Sequence, residues 1–173
     1  MKPLKVDNNG GVPSPEAVHL ISEAERLAYA DRDAYLADTA FENQPDGDYT
    51  KLLNPDYLAQ RYSQIDPEKS MGTAKPGTFE TDHARGDDQP EHGTSHISVV
   101  DSYGNAASMT TSVESAFGSF HMVDGFMLNN QLTDFEATPR DDDGQLKANR
   151  VESGKRPRSS MSPTIVYTMT KTG

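Results

Sequence analysis

The sequence predicts an α+β fold, and three observations carry that prediction. Apolar residues recur at helical spacing only in the first third of the chain. Strict alternation of apolar and polar residues begins only after residue 94. Between the two lies a stretch, residues 66–93, with no apolar period and many Pro, Gly and charged residues. Helices first and strands second, joined by a flexible segment, fit α+β or pieces of a layered α/β sandwich.

Bulk properties narrow the class. A length of 173 residues fits one domain. With 34% hydrophobic residues, no Trp and a mean hydropathy of −0.75, the chain can build only a modest core. Part of the structure is therefore expected to lie outside this sequence. The net charge of −11 argues against tracking nucleic-acid phosphates. With no Cys, disulfides, a thiol nucleophile and a Cys-based zinc site are all ruled out. No run approaches 18 apolar residues, and the opening "MKPLKVDNNGG" lacks the apolar stretch of a signal peptide, so neither a membrane segment nor an export signal is expected.

Taken in order, residues 1–13 read as a polar loop. "SPEAVHLISEAERLAYADRDAYL" reads as the strongest helix, with Ser14 as N-cap, Pro15 at the first helical position, and a stripe of Ala17, Leu20, Ile21, Ala24, Leu27 and Ala28. "ADTAFENQPDGDYTKLL" reads as loop. "NPDYLAQRYSQI" reads as a shorter helix capped by Asn54. Residues 66–93 read as a mobile surface segment. "HISVVD", "SYGN" and "AASMTTSV" together make a β-hairpin. "GFMLNNQLTDF" is a short buried strand running into a polar turn, residues 136–158 are another polar loop, and "SSMSPTIVYTM" is a last strand.

The chemical candidates follow from the same pass. An internal Thr hydroxyl is a poor nucleophile, but an N-terminal Thr carries its own base in the α-amine. Gly93 before Thr94, ahead of a strand, fits a self-cleavage site that frees such an amine, although Gly-Thr before a strand is common in purely structural settings. His92 and His96 lie four apart on a loop–strand junction with no carboxylate cluster to complete a metal set, and the five histidines read as solvated or hydrogen-bonded. "DDDG" at 141–144 lacks calcium-loop spacing and reads as a turn. "KRPR" at 155–158 is a loop flank or charge near an anionic substrate. "LNNQLTDF" crowds amides and Asp134 between apolar residues, either as a turn with Asx hydrogen bonds or as a pocket for an ammonium group. "RSSMSP" offers paired hydroxyls.

In this order, "GTSHISVVDSYGNAASMTTSVESAFGS", "GFMLNNQLTDF" and "KRPRSSMSPTIV" closely resemble γ-glutamyltransferases (γ-glutamyl transpeptidases). The resemblance extends over roughly residues 14–168, including "VHLISEAERLAYADRDAYLAD" and "LLNPDYLAQRYSQI". It implies an N-terminal-nucleophile hydrolase with an αββα sandwich, here a partial one. It also implies self-cleavage between Gly93 and Thr94, with residues 1–93 ending a large subunit and 94–173 beginning a small one. Thr94 would be the nucleophile toward glutathione or related γ-glutamyl compounds, with water or an amine as acceptor and no cofactor or metal. Ser112 stands where the family has a second Thr that orients the nucleophile. Asp134, with Asn130 and Gln131, would bind the substrate α-ammonium, and Ser159 and Ser160 its α-carboxylate.

Glu114 stands where many members carry Asn, and the "MTTSVE" wording is closer to a branch with cephalosporin acylase-like members. A carboxylate at Glu114 either strengthens ammonium binding or shifts preference toward other acyl groups, so glutaryl or β-lactam side chains are an alternative acyl group. The resemblance further implies that a carboxylate-clamping Arg and the oxyanion-hole glycines lie outside this sequence. The expectation is a central piece that is inactive alone, or an inactive remnant serving as a binding module. The family's location implies a periplasmic or secreted parent.

Overall fold

The computed structural model describes residues 12–86 and 93–167. In chain order its elements are α1 (Pro15–Tyr35), 3-10 turns at Pro45–Gly47 and Tyr49–Leu53, and α2 (Pro55–Tyr62). Strands β1 (Ser95–Val100), β2 (Ala106–Thr111), β3 (Met122–Val123) and β4 (Phe126–Met127) follow, then a 3-10 turn at Gln131–Asp134. The fold is the expected α+β mixture, with helices before strands. Its strands form two separate two-stranded antiparallel sheets, β1–β2 and β3–β4. No described helix is long and apolar enough to cross a membrane.

Both helices begin where their caps predict. Ser14 Oγ accepts from the Ala17 N–H at 3.1 Å, and Asn54 Oδ1 from the Asp56 N–H at 2.8 Å, each followed by a proline that needs no donor partner. The buried face of α1 differs from the predicted apolar stripe. Ala17 and Leu27 are buried, but Ile21 is 40% exposed, and the face turned inward continues through Glu23, Ala30, Asp31 and Ala34. Burial there follows hydrogen-bond partners as well as apolarity. Among the described residues, six of the nine buried apolar side chains are alanines, joined by Leu27, Tyr35 and Phe135.

Those partners come from a segment expected to be mobile. Residues 66–86 are tied along α1, while residues 87–92 of that stretch, His92 included, lie outside the described residues. Glu23 accepts from Ser70 Oγ at 2.8 Å and the Met71 N–H at 2.7 Å. Asp31 accepts from the Gly77 N–H at 2.7 Å and Tyr57 Oη at 2.7 Å, and lies 3.1 Å from Arg61 Nη2, so one carboxylate joins α1, α2 and the strap. Phe79 packs edge-on against Tyr35 with centroids 5.4 Å apart. Composition signalled a loop here; the anchors lie elsewhere in the chain.

The loop after Phe135 is likewise anchored rather than solvated. Lys147, Asn149, Lys155 and Arg158 are buried, and the basic run 155–158 grips the end of α1 and the residues after it. Lys155 Nζ lies 2.6 Å from Glu42, Arg156 holds Asp38 through its backbone N–H, Nε and Nη2, and Arg158 Nη2 lies 3.0 Å from Asp33 Oδ1. The Asp141–Gly144 stretch is the turn expected, with Asp141 Oδ1 accepting from the Asp143 and Gln145 N–H groups.

Two strand expectations fail. The "GFML" strand shortens to Phe126–Met127, paired around Asp124 and Gly125, both at positive φ, and Phe126 is 74% exposed. Residues 159–167 form no strand, because among the described residues no neighbour pairs with them. Residues 168–169 of that expected strand lie outside the described residues. The loop expected over 37–53 contains the two 3-10 turns, the second opened by Asp48 accepting from the Thr50 N–H at 2.8 Å. His83 also departs from expectation: it is buried, and among the described residues neither ring nitrogen has a hydrogen-bond partner, Asp82 Oδ1 being the nearest acid at 3.4 Å.

The Arg156 side-chain and backbone donors hold the Asp38 carboxyl well below the usual carboxylate range. The Met71 N–H, opposed in part by burial and aided by Ser70, lowers Glu23 as well. Groups lowered on folding contribute stability above their unfolded value near 4 and lose it as pH falls toward the folded value. Urea unfolding between pH 7 and pH 3 is therefore expected to show stability falling below about pH 4. In Arg156→Ala that fall is shallower; an unchanged slope would contradict the assignment.

Candidate active site

The β1–β2 hairpin sets the site's geometry through its register. Ser95 pairs with Thr111 and His96 with Thr110. Thr94 directly precedes β1 and Ser112 directly follows β2, next to the Ser95–Thr111 pair. One face of the hairpin carries His96, Ser98, Ser108 and Thr110. Its ring nitrogens bond them together: His96 Nδ1 with Thr110 Oγ1 at 2.9 Å, and Nε2 with Ser98 Oγ at 3.0 Å and Ser108 Oγ at 3.2 Å. Along β2 the polar-face residues Ser108 and Thr110 are half-buried, whereas Ile97, Val99 and Met109 on the opposite face are about half exposed. On β2, then, the hydroxyl face is the less exposed one, while β1 is exposed on both faces.

Beyond β2, the chain turns through Glu114 at φ 72°, a left-handed backbone that a non-glycine residue holds only when its surroundings enforce it. The enforcement is visible. Ser112 Oγ accepts from the Glu114 N–H at 2.9 Å, and the Ser115 N–H donates to Asn130 Oδ1 at 3.0 Å. Asn130 Nδ2 donates to the Glu114 carboxylate, which also accepts from Ser115 Oγ. Asn129 Oδ1 then starts the next turn by accepting from the Gln131 N–H at 3.0 Å, and the 3-10 turn carries Gln131 and Asp134. Asn149 closes it by donating from Nδ2 to the Asp134 carbonyl at 2.7 Å, with Phe135 buried beneath.

Ser159 and Ser160 follow directly on Arg158, whose backbone N–H donates to Asn149 Oδ1 at 3.0 Å. One residue, Asn149, therefore holds both the Asp134 turn and the serine pair.

These segments enclose a cavity of about 320 Å³. Thr94, Ser112, Glu114 and Gln131 line it, and so do Asp134, Ser159 and Ser160. Asn130 stands behind Glu114 rather than on the wall, and Gly93 lies outside it, exposed, beside a neighbouring hollow that Thr94 also lines. Sequence reading missed Tyr29 and Arg32 of α1, as well as Thr110 and Met161. Tyr29 and Arg32 are three apart on one helix face, with the guanidinium 5.2 Å from the ring centroid. That spacing was legible; what it faced was not. Arg158, from the basic run, both lines the cavity and reaches Asp33 and Glu136.

The cavity combines Thr hydroxyls, two carboxylates, two guanidiniums and paired serine hydroxyls: a set of charges of both signs able to hold a zwitterion beside hydroxyl groups. A family model for gamma-glutamyltranspeptidase matches residues 4–172, and the chain belongs to that family. It is 38% identical over 167 residues to the glutathione hydrolase proenzyme of Bacillus subtilis (strain 168), covering 90% of this chain and 27% of that protein. To the glutathione hydrolase proenzyme of Escherichia coli (strain K12) it is 39% identical over 170 residues, covering 94% of this chain and 28% of that one. The chain thus spans about a quarter of the length of the curated relatives it matches. A crystal structure of a Helicobacter pylori gamma-glutamyltranspeptidase mutant matches with 44% identity over 42% of each chain, at a TM-score of 0.35.

Gly118 controls how closely the two site loops approach. It lies at φ 54°, and a Cβ there would collide with the Leu128 carbonyl oxygen, which accepts the Ser119 N–H at 2.9 Å. Gly118→Ala is expected to cost more than about 1 kcal/mol in urea unfolding, from strain and the lost approach together. A neutral effect would show that the loops close without it.

Proposed function

We propose that this chain carries the nucleophile and the donor-recognition half of a γ-glutamyl acyl-transfer or hydrolysis site, on glutathione or related γ-glutamyl compounds. The observation that supports it is the convergence of Thr94, Ser112, Asp134 and the Ser159–Ser160 pair, from separate segments, on one cavity. In this reading the chain is the proenzyme form, with residues 1–93 contributed to a large subunit and 94–173 to a small one, within an αββα N-terminal-nucleophile sandwich.

Processing comes first. The Thr94 hydroxyl attacks the Gly93 carbonyl, the chain shifts from amide to ester, and the Thr94 nitrogen becomes an amine. Water then hydrolyses the ester, leaving a Gly93 carboxylate and a free Thr94 α-amine. That amine, whose ordinary titration lies near 7.7–8.0, now takes the proton from the hydroxyl in turnover. The oxygen attacks the γ-amide carbonyl, the C–N bond breaks, and the leaving amine departs with the proton. Water or an amine attacks the γ-glutamyl ester and returns the hydroxyl to Thr94.

Ser112 orients the nucleophile from across the hairpin. Asp134, flanked by Gln131, pairs the α-ammonium, and the Ser159 and Ser160 hydroxyls donate to the α-carboxylate. Asn130 acts from behind, by holding Glu114. Glu114 adds a second negative charge near the ammonium end, which favours an amino-bearing γ-glutamyl donor over a glutaryl one.

Intact mass of freshly purified chain, followed over days at neutral pH, tests the processing step. Conversion to pieces of 93 and 80 residues, absent in Thr94→Ala and slowed in Thr94→Ser, is the result that supports self-cleavage, and it would correct the expectation that this chain is inactive alone. Cleavage that persists in Thr94→Ala, or a single stable 173-residue species, overturns self-cleavage at this bond by this chain.

Recognition is tested separately by titrating L-glutamine and glutarate monoamide. Glutamine is expected to bind more tightly, and Asp134→Asn to weaken it by about tenfold or more through loss of a charge-assisted contact. Preference for the glutaryl compound would point instead to an acylase.

A further inference from the structure

Two backbone segments of the cavity wall meet at one buried side chain, that of Asn149, which is 1% exposed. Its Nδ2 donates to the Asp134 carbonyl at 2.7 Å, and its Oδ1 accepts from the Arg158 N–H at 3.0 Å. Its own carbonyl accepts from the Glu136 N–H at 3.0 Å. Asp134 brings its carboxylate to the cavity, and Arg158 directly precedes Ser159 and Ser160, which line it too.

The partners dictate the residue type. A carbonyl needs a donor and an N–H needs an acceptor, and a planar side-chain amide presents one of each. They also fix which way round the amide stands, because flipping it would set oxygen against oxygen and N–H against N–H. A carboxylate in its place offers no donor, and a hydroxyl is a single atom that cannot reach both.

The Glu136–Arg158 ion pair joins the same segments, but at 3.5 Å and through two long side chains. Asn149 joins main chain to main chain across one short side chain, and so sets the spacing more tightly. Spacing matters because of the ligand's chemistry. An α-amino acid carries its ammonium and its carboxylate on one carbon, so the groups that hold them must keep one separation. Recognition of that kind needs its groups held to within about 0.5 Å.

We propose that Asn149 is a positioning residue that sets the distance between the ammonium-binding Asp134 and the carboxylate-binding serine pair. It thereby selects donors with both charges on one carbon over isomers that hold them further apart, and it touches no substrate itself. This rests on the γ-glutamyl reading of the cavity.

Calorimetric titration of the 173-residue chain with L-glutamine and β-glutamine tests it. The two are isomers with the same carbon chain, and β-glutamine carries its ammonium one carbon further from the carboxylate. The unmutated chain is expected to prefer L-glutamine by about tenfold or more, the scale of one charge-assisted contact. In Asn149→Asp the Arg158 N–H keeps an acceptor while the Asp134 carbonyl loses its donor. L-glutamine is then expected to bind about tenfold more weakly and β-glutamine to change by less than about threefold, so the preference shrinks. Lowered stability alone does not do this, because a smaller folded fraction weakens both ligands by the same factor. Where Asn149→Asp does not fold, NMR of the unmutated chain decides. The Asn149 side-chain NH2 resonances are expected to shift when L-glutamine binds, and to shift less with glutarate monoamide, which has no ammonium.

Equal weakening of both ligands in Asn149→Asp, an unchanged preference, or Asn149 resonances that stay in place overturns the positioning role alone. So does equal binding of the two isomers by the unmutated chain. An unmutated chain that binds neither isomer, or prefers β-glutamine, overturns the positioning role together with the reading it rests on.

Discussion

Arg158 is the residue on which the rest of the arrangement depends. Its guanidinium is buried between Asp33 on α1, at 3.0 Å, and Glu136 after the Asp134 turn, at 3.5 Å, and its Nη1 reaches the Asp33 carbonyl. Its backbone N–H is taken by Asn149. Through that one residue, α1, the Asp134 turn and the serine pair are tied together. A buried ion pair adds little net stability, because desolvation offsets attraction, yet removing one partner costs about 3–5 kcal/mol. What such a pair supplies is a single geometry, and a recognition site needs that more than it needs extra stability.

The same logic runs through the whole chain, because its apolar core is thin. An alanine-rich interior lets backbones approach closely but buries little area per residue. Position is then set by carboxylates that each collect several donors: Glu23 and Asp31 for the strap, Asp38 and Glu42 for the basic run. Those of Asp38 and Glu42 cross from the residues before Thr94 to those after it. A break at Gly93–Thr94 would therefore leave the Asp33–Arg158, Asp38–Arg156 and Glu42–Lys155 pairs joining the two pieces.

The hairpin departs from ordinary patterning. A half-buried hairpin commonly packs its aliphatic face and wets its polar one. Here both faces of β1 are exposed, Thr94 and His96 included, Ser108 and Thr110 of β2 are half-buried, and Ile97, Val99 and Met109 are about half exposed. Alongside it, Glu114 is held in a left-handed conformation by Ser112, Ser115 and Asn130, the kind of local strain that persists where a side chain must point into a site.

The sequence by itself determined the local elements and the chemistry on offer. Caps at Ser14 and Asn54, prolines behind them, the alternation of "HISVVD" and "AASMTT" and the turn chemistry of Asp101–Asn105 are readable because each is decided within a few residues. The motifs that contain Thr94, Ser112, Asp134 and Ser159, taken in order, carry the family resemblance.

Only the tertiary structure decided which face of α1 is buried, that residues 66–86 are strapped down, and that "KRPR" is an anchor rather than a solvated flank. The same is true of Tyr29 and Arg32, whose spacing is ordinary for an exposed helix face and which line the cavity with residues from after Thr94. The reason is physical. A charged residue carries no mark of its partner, and partners separated by more than a hundred residues, as Asp33 and Arg158 are, become visible only when folding brings them within 3.0 Å.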